Sequence, residues 1–168
     1  MYENFKKEDN LLGVEVGIWE GDNAKRMMDE LPNLTLIGVD PFEGYQDWHM
    51  YIDENNISKR EQRAIENMQP YIESGRFSFL RKYSDKALED LEDEKFDFVY
   101  VDADHSYEWA YHDITNYWSK IKSGGVLCGH DRNLSGVSKA LAQFCEEKGL
   151  PFTPSESPQI ESWYIVKP

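Results

Sequence analysis

Five short apolar runs, each followed by a stretch with helical spacing or a polar segment leading into one, confine this chain to a small set of folds. They are Leu11–Ile18, Thr35–Val39, Phe77–Leu80, Phe96–Val101 and Gly125–Gly129. Between them apolar residues recur at helical intervals: Ala24, Met27, Met28 and Leu31 within Asp22–Leu31, Ile65, Met68 and Ile72 within Ser58–Glu73, and Ala87, Leu88 and Leu91 within Ser84–Leu91. Strands that alternate with helices imply βαβ units around a parallel sheet. Phe96–Val101 is apolar apart from Asp97, as strands buried on both faces are. The clearest helix carries the stripe Tyr107, Ala110, Tyr111, Ile114, Tyr117, Trp118 and Ile121, with Gly124-Gly125 as its expected end. Leu134–Glu147 is a fifth predicted helix, and Pro151–Pro168 offers two more short strands, the last Trp163–Val166. With no repeat and no linker, the expectation is a single domain over residues 1–168.

Composition excludes several functions. Lys and Arg number 18 against 32 Asp and Glu, a net charge of −14. Such a field repels phosphate backbones, so nucleic acid is not expected as a partner. No apolar run is long enough to span a membrane, and the start Met1-Tyr-Glu-Asn-Phe-Lys-Lys lacks the apolar stretch of a signal peptide. Cys128 and Cys145 have no metal-like spacing and read as reduced thiols of a cytoplasmic protein.

In an open parallel sheet, ligands bind at the carboxyl ends of the strands. Three predicted strand ends carry chemistry. The first is Glu15-x-Gly17-Ile18-Trp19-Glu20-Gly21, where glycines allow a tight strand-to-helix turn and the following helix offers free amides to a carboxylate. A dinucleotide site needs glycines where Glu15 and Glu20 stand, which disfavours a nicotinamide dehydrogenase. The second is Asp40, at the distance past the glycine turn where a carboxylate accepts hydrogen bonds from a ribose. The third joins Asp102-Ala-Asp104-His105-Ser-Tyr107 to Gly124-Gly125 and His130-Asp131. Strands lie about 4.8 Å apart, so Asp102 and Asp131 can share one hard cation. His105 and His130 are able to act as general bases near neutral pH.

The order of these motifs resembles class I S-adenosylmethionine (SAM)-dependent methyltransferases. More narrowly it is similar to small members whose fourth strand ends in Asp-x-Asp-His-Ser-Tyr and whose fifth ends in His-Asp. The resemblance implies a three-layer Rossmann-like α/β sandwich with a mostly parallel seven-stranded sheet in the order 3-2-1-4-5-7-6, the last strand antiparallel. It implies SAM as cofactor, with Glu15, Gly17 and Gly21 at its methionine end, Trp19 among the other cofactor-binding residues, Asp40 at the ribose, Ser84 and Asp85 at the adenine, and Asp102 near the amino group or a metal. The expected reaction is transfer to a small-molecule acceptor by O-methylation of a hydroxyl, with catalytic residues drawn from Asp102, His105 and His130: either histidine as general base, and Asp102 with Asp131 binding Mg2+ or orienting that base. A more distant likeness to catechol and caffeoyl-CoA O-methyltransferases implies Mg2+ on Asp102 and Asp131. Arg132 stands where those enzymes carry Asn, and a guanidinium cannot ligate a cation; either His130 replaces it or the site holds no metal. Few residues precede Leu11, which leaves Phe42–Asn56, with Tyr45, Trp48 and Tyr51, as the candidate cover for an acceptor. The same scarcity leaves open a SAM-binding protein that is non-catalytic or partner-dependent. Self-association into a homo-oligomer is also open.

Overall fold

The computed structural model describes residues 5–43, 54–155 and 161–168. In chain order it forms β1 (Leu11–Val16), α1 (Asp22–Glu30), β2 (Leu34–Val39), α2 (Glu54–Glu73), β3 (Phe77–Leu80) and α3 (Ser84–Ala87, continued by a 3-10 turn over Leu88–Asp90). There follow β4 (Phe96–Val101), α4 (Tyr107–Tyr117), β5 (Ile121–Gly129), α5 (Ser135–Lys148), β6 (Thr153–Pro154) and β7 (Trp163–Val166). The seven strands lie in the order β3-β2-β1-β4-β5-β7-β6, as expected. The first five run parallel, and β7 runs antiparallel to both β5 and β6.

Each face of the sheet is sealed by its own apolar layer. Met27, Met28, Ala64, Met68 and Tyr71 of α1 and α2 pack on one face, over Leu36, Phe98 and Tyr100. Ala110, Ile114, Val137, Leu141 and Phe144 of α4 and α5 pack on the other, over Val14, Val99 and Leu127. The three-layer sandwich follows from this, because a strand's side chains alternate between faces. Asp97, the polar interruption in β4, accepts the Leu12 amide at 2.8 Å and pairs with Lys122 at 2.5 Å.

Three boundaries differ from the sequence reading. The apolar stripe suggested that α4 runs to Ile121 and stops at Gly124-Gly125. Instead α4 ends at Tyr117, a 3-10 turn covers Trp118–Lys120, and Ile121 opens β5 opposite Phe96. The glycines serve the strand: its pairing with β4 slips between Phe96 and Phe98, Gly124 has φ +79°, and a Cβ on Gly125 would lie 2.8 Å from the Asp97 carbonyl oxygen. β1 stops at Val16 because the chain turns at Gly17, with φ +90°. α2 begins at Glu54 rather than Ser58, and Ile57 is buried in its first turns. Tyr45, Trp48 and Tyr51 lie outside the described residues.

Candidate active site

The strand order reverses between β1 and β4, and that is where an open α/β sheet binds its ligand. Val16 lies beside Val101 and Val101 beside Gly129, so the carboxyl ends of β1, β4 and β5 are level. A cavity of about 550 Å³ opens over them. Nine acidic side chains line it against two basic ones, Arg60 and Lys82.

On the β1 side the wall is built around the main chain. Gly17 is glycine because a Cβ there would stand 2.2 Å from the Asp102 carbonyl oxygen; the turn is pressed against the end of β4. Asp40 at the end of β2 braces that turn. One of its oxygens accepts the Ile18 and Trp19 amides at 3.0 and 3.1 Å, and the other accepts the Phe42 amide at 2.8 Å. A carboxylate offers about four acceptor positions, so about one remains for a ribose hydroxyl. Trp19 sits at φ +55°, a conformation bulky residues rarely adopt, and is held there by the hydrogen bond its backbone N–H donates to Asp40. Glu15 is 1% exposed. Its Oε1 accepts from the Asn23 side chain at 2.6 Å, while Oε2 is buried with no partner. Burial pushes its carboxyl up to about 8.

On the β4 and β5 side the wall is built of titratable side chains. Asp131, at φ +55°, receives both histidines: His105 Nε2 at 2.9 Å and His130 Nδ1 at 3.2 Å. Those bonds hold its carboxyl well below the usual range. The Asp131 carboxylate raises His130 above its ordinary value. Burial and then the charge of Asp131 push the Asp102 carboxyl up to about 6. Asp102, His105 and Asp131 each offer a donor atom within 4.8 Å of the others. Arg132 is absent from the cavity wall. The loops that carry these groups are fixed from behind. A Cβ on Gly136 of α5 would meet the His105 carbonyl at 2.1 Å, and Trp163 Nε1 of β7 donates to the His130 carbonyl at 3.1 Å. Asp104 and Ser106 have local work, accepting the Ser106 and Trp109 amides at the start of α4.

The structure thus brings Glu15, Gly17, Trp19, Asp40, Ser84, Asp102, His105, His130 and Asp131 to one cavity. Gly21 and Asp85 are not on its wall. Gly21, at φ +80°, caps α1 beside Ala64, and Asp85 pairs with Lys86 at 3.0 Å. Sequence reasoning missed Asn23, Arg60, Trp109 and Asp113, all of which line the cavity. Asp113 is 1% exposed, bonded to His112 at 3.1 Å and to the Ser84 side chain, and burial raises its carboxyl. Its signal was an Asp three residues past Ala110 on an otherwise apolar stripe.

A family model described as a methyltransferase domain matches residues 14–132. The chain belongs to that family. It is a SAM-dependent methyltransferase. A protein of Acanthamoeba polyphaga mimivirus named as uncharacterized protein R132 is 26% identical over 162 residues, covering 89% of this chain and 67% of that one. A precorrin-6y C5,15-methyltransferase from Geobacter metallireducens has the same fold, with TM-score 0.68 at 15% identity over 99% of this methyltransferase and 85% of that chain. An O-methyltransferase from Bacillus cereus, solved with S-adenosylhomocysteine, superimposes with TM-score 0.65 at 15% identity over 93% and 74% of the two chains. Among the described residues of the methyltransferase, no helix is long and apolar enough to cross a membrane. Neither cysteine forms a disulfide, and the buried Cys128 thiol donates to the Val99 carbonyl at 3.3 Å.

Proposed function

We propose that the methyltransferase moves a methyl group onto a hydroxyl of a small-molecule acceptor, with His130 as general base. Bound SAM supplies an electrophilic methyl on a sulfonium. The residues present fit that cofactor: the orphaned Glu15 Oε2 suits its ammonium, and Asp40 retains acceptor capacity for its ribose. Glu15, Gly17, Trp19, Asp40, Ser84 and Asp102 make up the cofactor's part of the wall. The cavity volume falls in the range of small-molecule sites, and its acidic lining suits a cationic cofactor and a neutral or cationic acceptor.

The observation that carries the reading is the Asp131–His130 contact. Asp131 takes Nδ1 of His130, which orients the ring and leaves Nε2 to accept a proton. His130 removes the hydroxyl proton as the oxygen attacks, and Asp131 with Asp102 stabilises the imidazolium that forms. His105 holds Asp131 from its other side.

A divalent cation is the second reading, and the closeness of Asp102, His105 and Asp131 favours it. Two carboxylates and an imidazole fit a metal that accepts nitrogen, such as Mn2+ or Zn2+, better than Mg2+, which prefers oxygen. In that reading Asp102, His105 and Asp131 would hold the ion, and the chemistry it would supply is polarisation of the acceptor hydroxyl.

Replacing His130 and His105 singly by Ala, at saturating cofactor with a panel of hydroxylated acceptors followed by mass spectrometry, tests the base. His130→Ala is expected to lower turnover by about 10²-fold or more, His105→Ala by less. If His130→Ala does not lower it tenfold, the base assignment is wrong, whatever His105→Ala does. Unchanged turnover in a chelator supports the metal-free reading, whereas a loss restored by Mn2+ supports the cation. Cofactor binding without any methylated product across the panel would point to a partner-dependent subunit.

A further inference from the structure

Arg60 is a cation that the rest of the wall does not use. Three other cations near the cavity are paired: Arg63 with Glu20 at 3.0 Å, Arg81 with Glu61 at 2.9 Å, and Lys82 of the cavity with Asp90. Among the described residues no carboxylate pairs with Arg60. Its guanidinium instead lies 3.3 Å from the centre of the Trp19 ring, and both residues line the cavity. Stacking of this kind holds the planar guanidinium in one orientation while its N–H edges remain free to donate. A guanidinium fixed in plane suits a carboxylate, which it can bind through two parallel hydrogen bonds.

The same wall holds the complementary group. Glu15 Oε2 is buried, faces no donor, and belongs to the strand that leads into Trp19. A buried acceptor without a donor and a stacked cation with no anion among the described residues are together the two halves of a site for an α-amino acid, which carries an ammonium and a carboxylate on one carbon. We infer that Arg60, positioned by Trp19, binds the α-carboxylate of the cofactor's methionine end while Glu15 takes its α-ammonium. This rests on the reading of the cavity as the SAM site. An anionic acceptor is the competing ligand for Arg60. It is disfavoured because Arg60 stacks on the turn after β1, whereas His130 and Asp131 stand after β5.

The test compares two ligands that share the adenosine and thioether but differ in the amino-acid end: S-adenosylhomocysteine, which has it, and 5′-methylthioadenosine, which lacks it. Calorimetric titration of each into the wild-type protein and into Arg60→Ala reads the difference, with the melting temperature as control for folding. Arg60→Ala is expected to weaken S-adenosylhomocysteine by at least ~10-fold and to leave methylthioadenosine unchanged. Arg60→Lys, which keeps the charge without the fork, should fall between. Unchanged S-adenosylhomocysteine affinity overturns the assignment, and does so in favour of the acceptor if the acceptor KM rises instead. An equal loss for both ligands at an unaltered melting temperature also overturns it, since Arg60 would then support the cavity as a whole. Failure of both ligands to bind the wild-type protein overturns the cofactor reading itself, and the inference with it.

Discussion

The two sides of the cavity are made of different material. On the β1–β2 side, polar groups are tied to the main chain: Asp40 accepts three amides, and Gly17 is pressed on the Asp102 carbonyl. On the β4–β5 side, they are tied to each other, with Asp131 between two imidazoles and beside Asp102. A wall built on backbone is fixed once the sheet forms, so it is preformed for a ligand of constant shape. A wall of coupled titratable groups can exchange protons without moving the chain. The cofactor's adenosyl part is the same in every turnover, while the proton to be moved comes and goes. Substitutions on the first side should therefore damage folding and affinity together, and those on the second should damage turnover alone.

Gly17→Ala tries that division hardest. The added Cβ would meet main-chain atoms at 2.2 Å, which no rotamer change relieves, and the residue must keep φ +90°. We expect a loss of about 3 kcal/mol, or roughly 6–12 °C in Tm for a chain of this size, together with weakened cofactor binding. His130→Ala should leave Tm and S-adenosylhomocysteine affinity unchanged. If Gly17→Ala melts like the wild type, the turn is not braced as described and the contrast between the two sides fails. Asp40→Asn is milder. An amide can present one oxygen to the turn, but its NH2 then faces the Phe42 amide, which needs an acceptor. Loss of one charge-assisted bond should weaken S-adenosylhomocysteine by about 10-fold in calorimetry, with turnover at saturating cofactor preserved. A fall in saturated turnover larger than the fall in affinity would join Asp40 to the chemical side.

Legibility in the sequence followed the same division. The strands and their ends are readable because apolar runs of four to eight residues leave few alternatives, with Asp40 and Asp102 where two runs stop and Asp131 two residues past a third; the strand order comes with the resemblance to methyltransferases. The α4–β5 boundary was not readable. Trp118 and Ile121 fit a helical stripe as well as they fit a 3-10 turn and a strand, and a glycine pair marks a helix end and a bent strand alike. Gly21 and Asp85, expected at the ligand from the motif, lie off the cavity wall, Gly21 at φ +80° and Asp85 beside Lys86. Arg60, Asn23 and Asp113 reach the cavity from helices. Their positions depend on how α1, α2 and α4 dock on the sheet, which no local pattern encodes.

Glu15 is where the division is least secure, because it is a titratable side chain on the backbone-built side. An unfolded chain releases its proton near the ordinary value of 4.5, whereas the folded protein holds it to about 8. Between those values the folded state binds the extra proton, so stability falls as pH rises through that window and levels off above it. Glu15→Gln removes the slope. It exchanges one orphaned atom for another, so the gain should be limited to about 1 kcal/mol, seen as roughly 2–4 °C in Tm near pH 8.5 without ligand and nothing near pH 5. Binding should show the opposite sign. A ligand ammonium favours the ionised carboxylate, so S-adenosylhomocysteine should expel a proton from the wild-type protein at pH 7 and none from the variant. Calorimetry in two buffers of different ionisation enthalpy measures that proton directly. Equal enthalpies in both buffers for the wild type would mean that Glu15 is already ionised in the empty cavity. The buried carboxyl would then belong with the fixed side, leaving proton exchange over the sheet ends to Asp102, Asp131, His105 and His130.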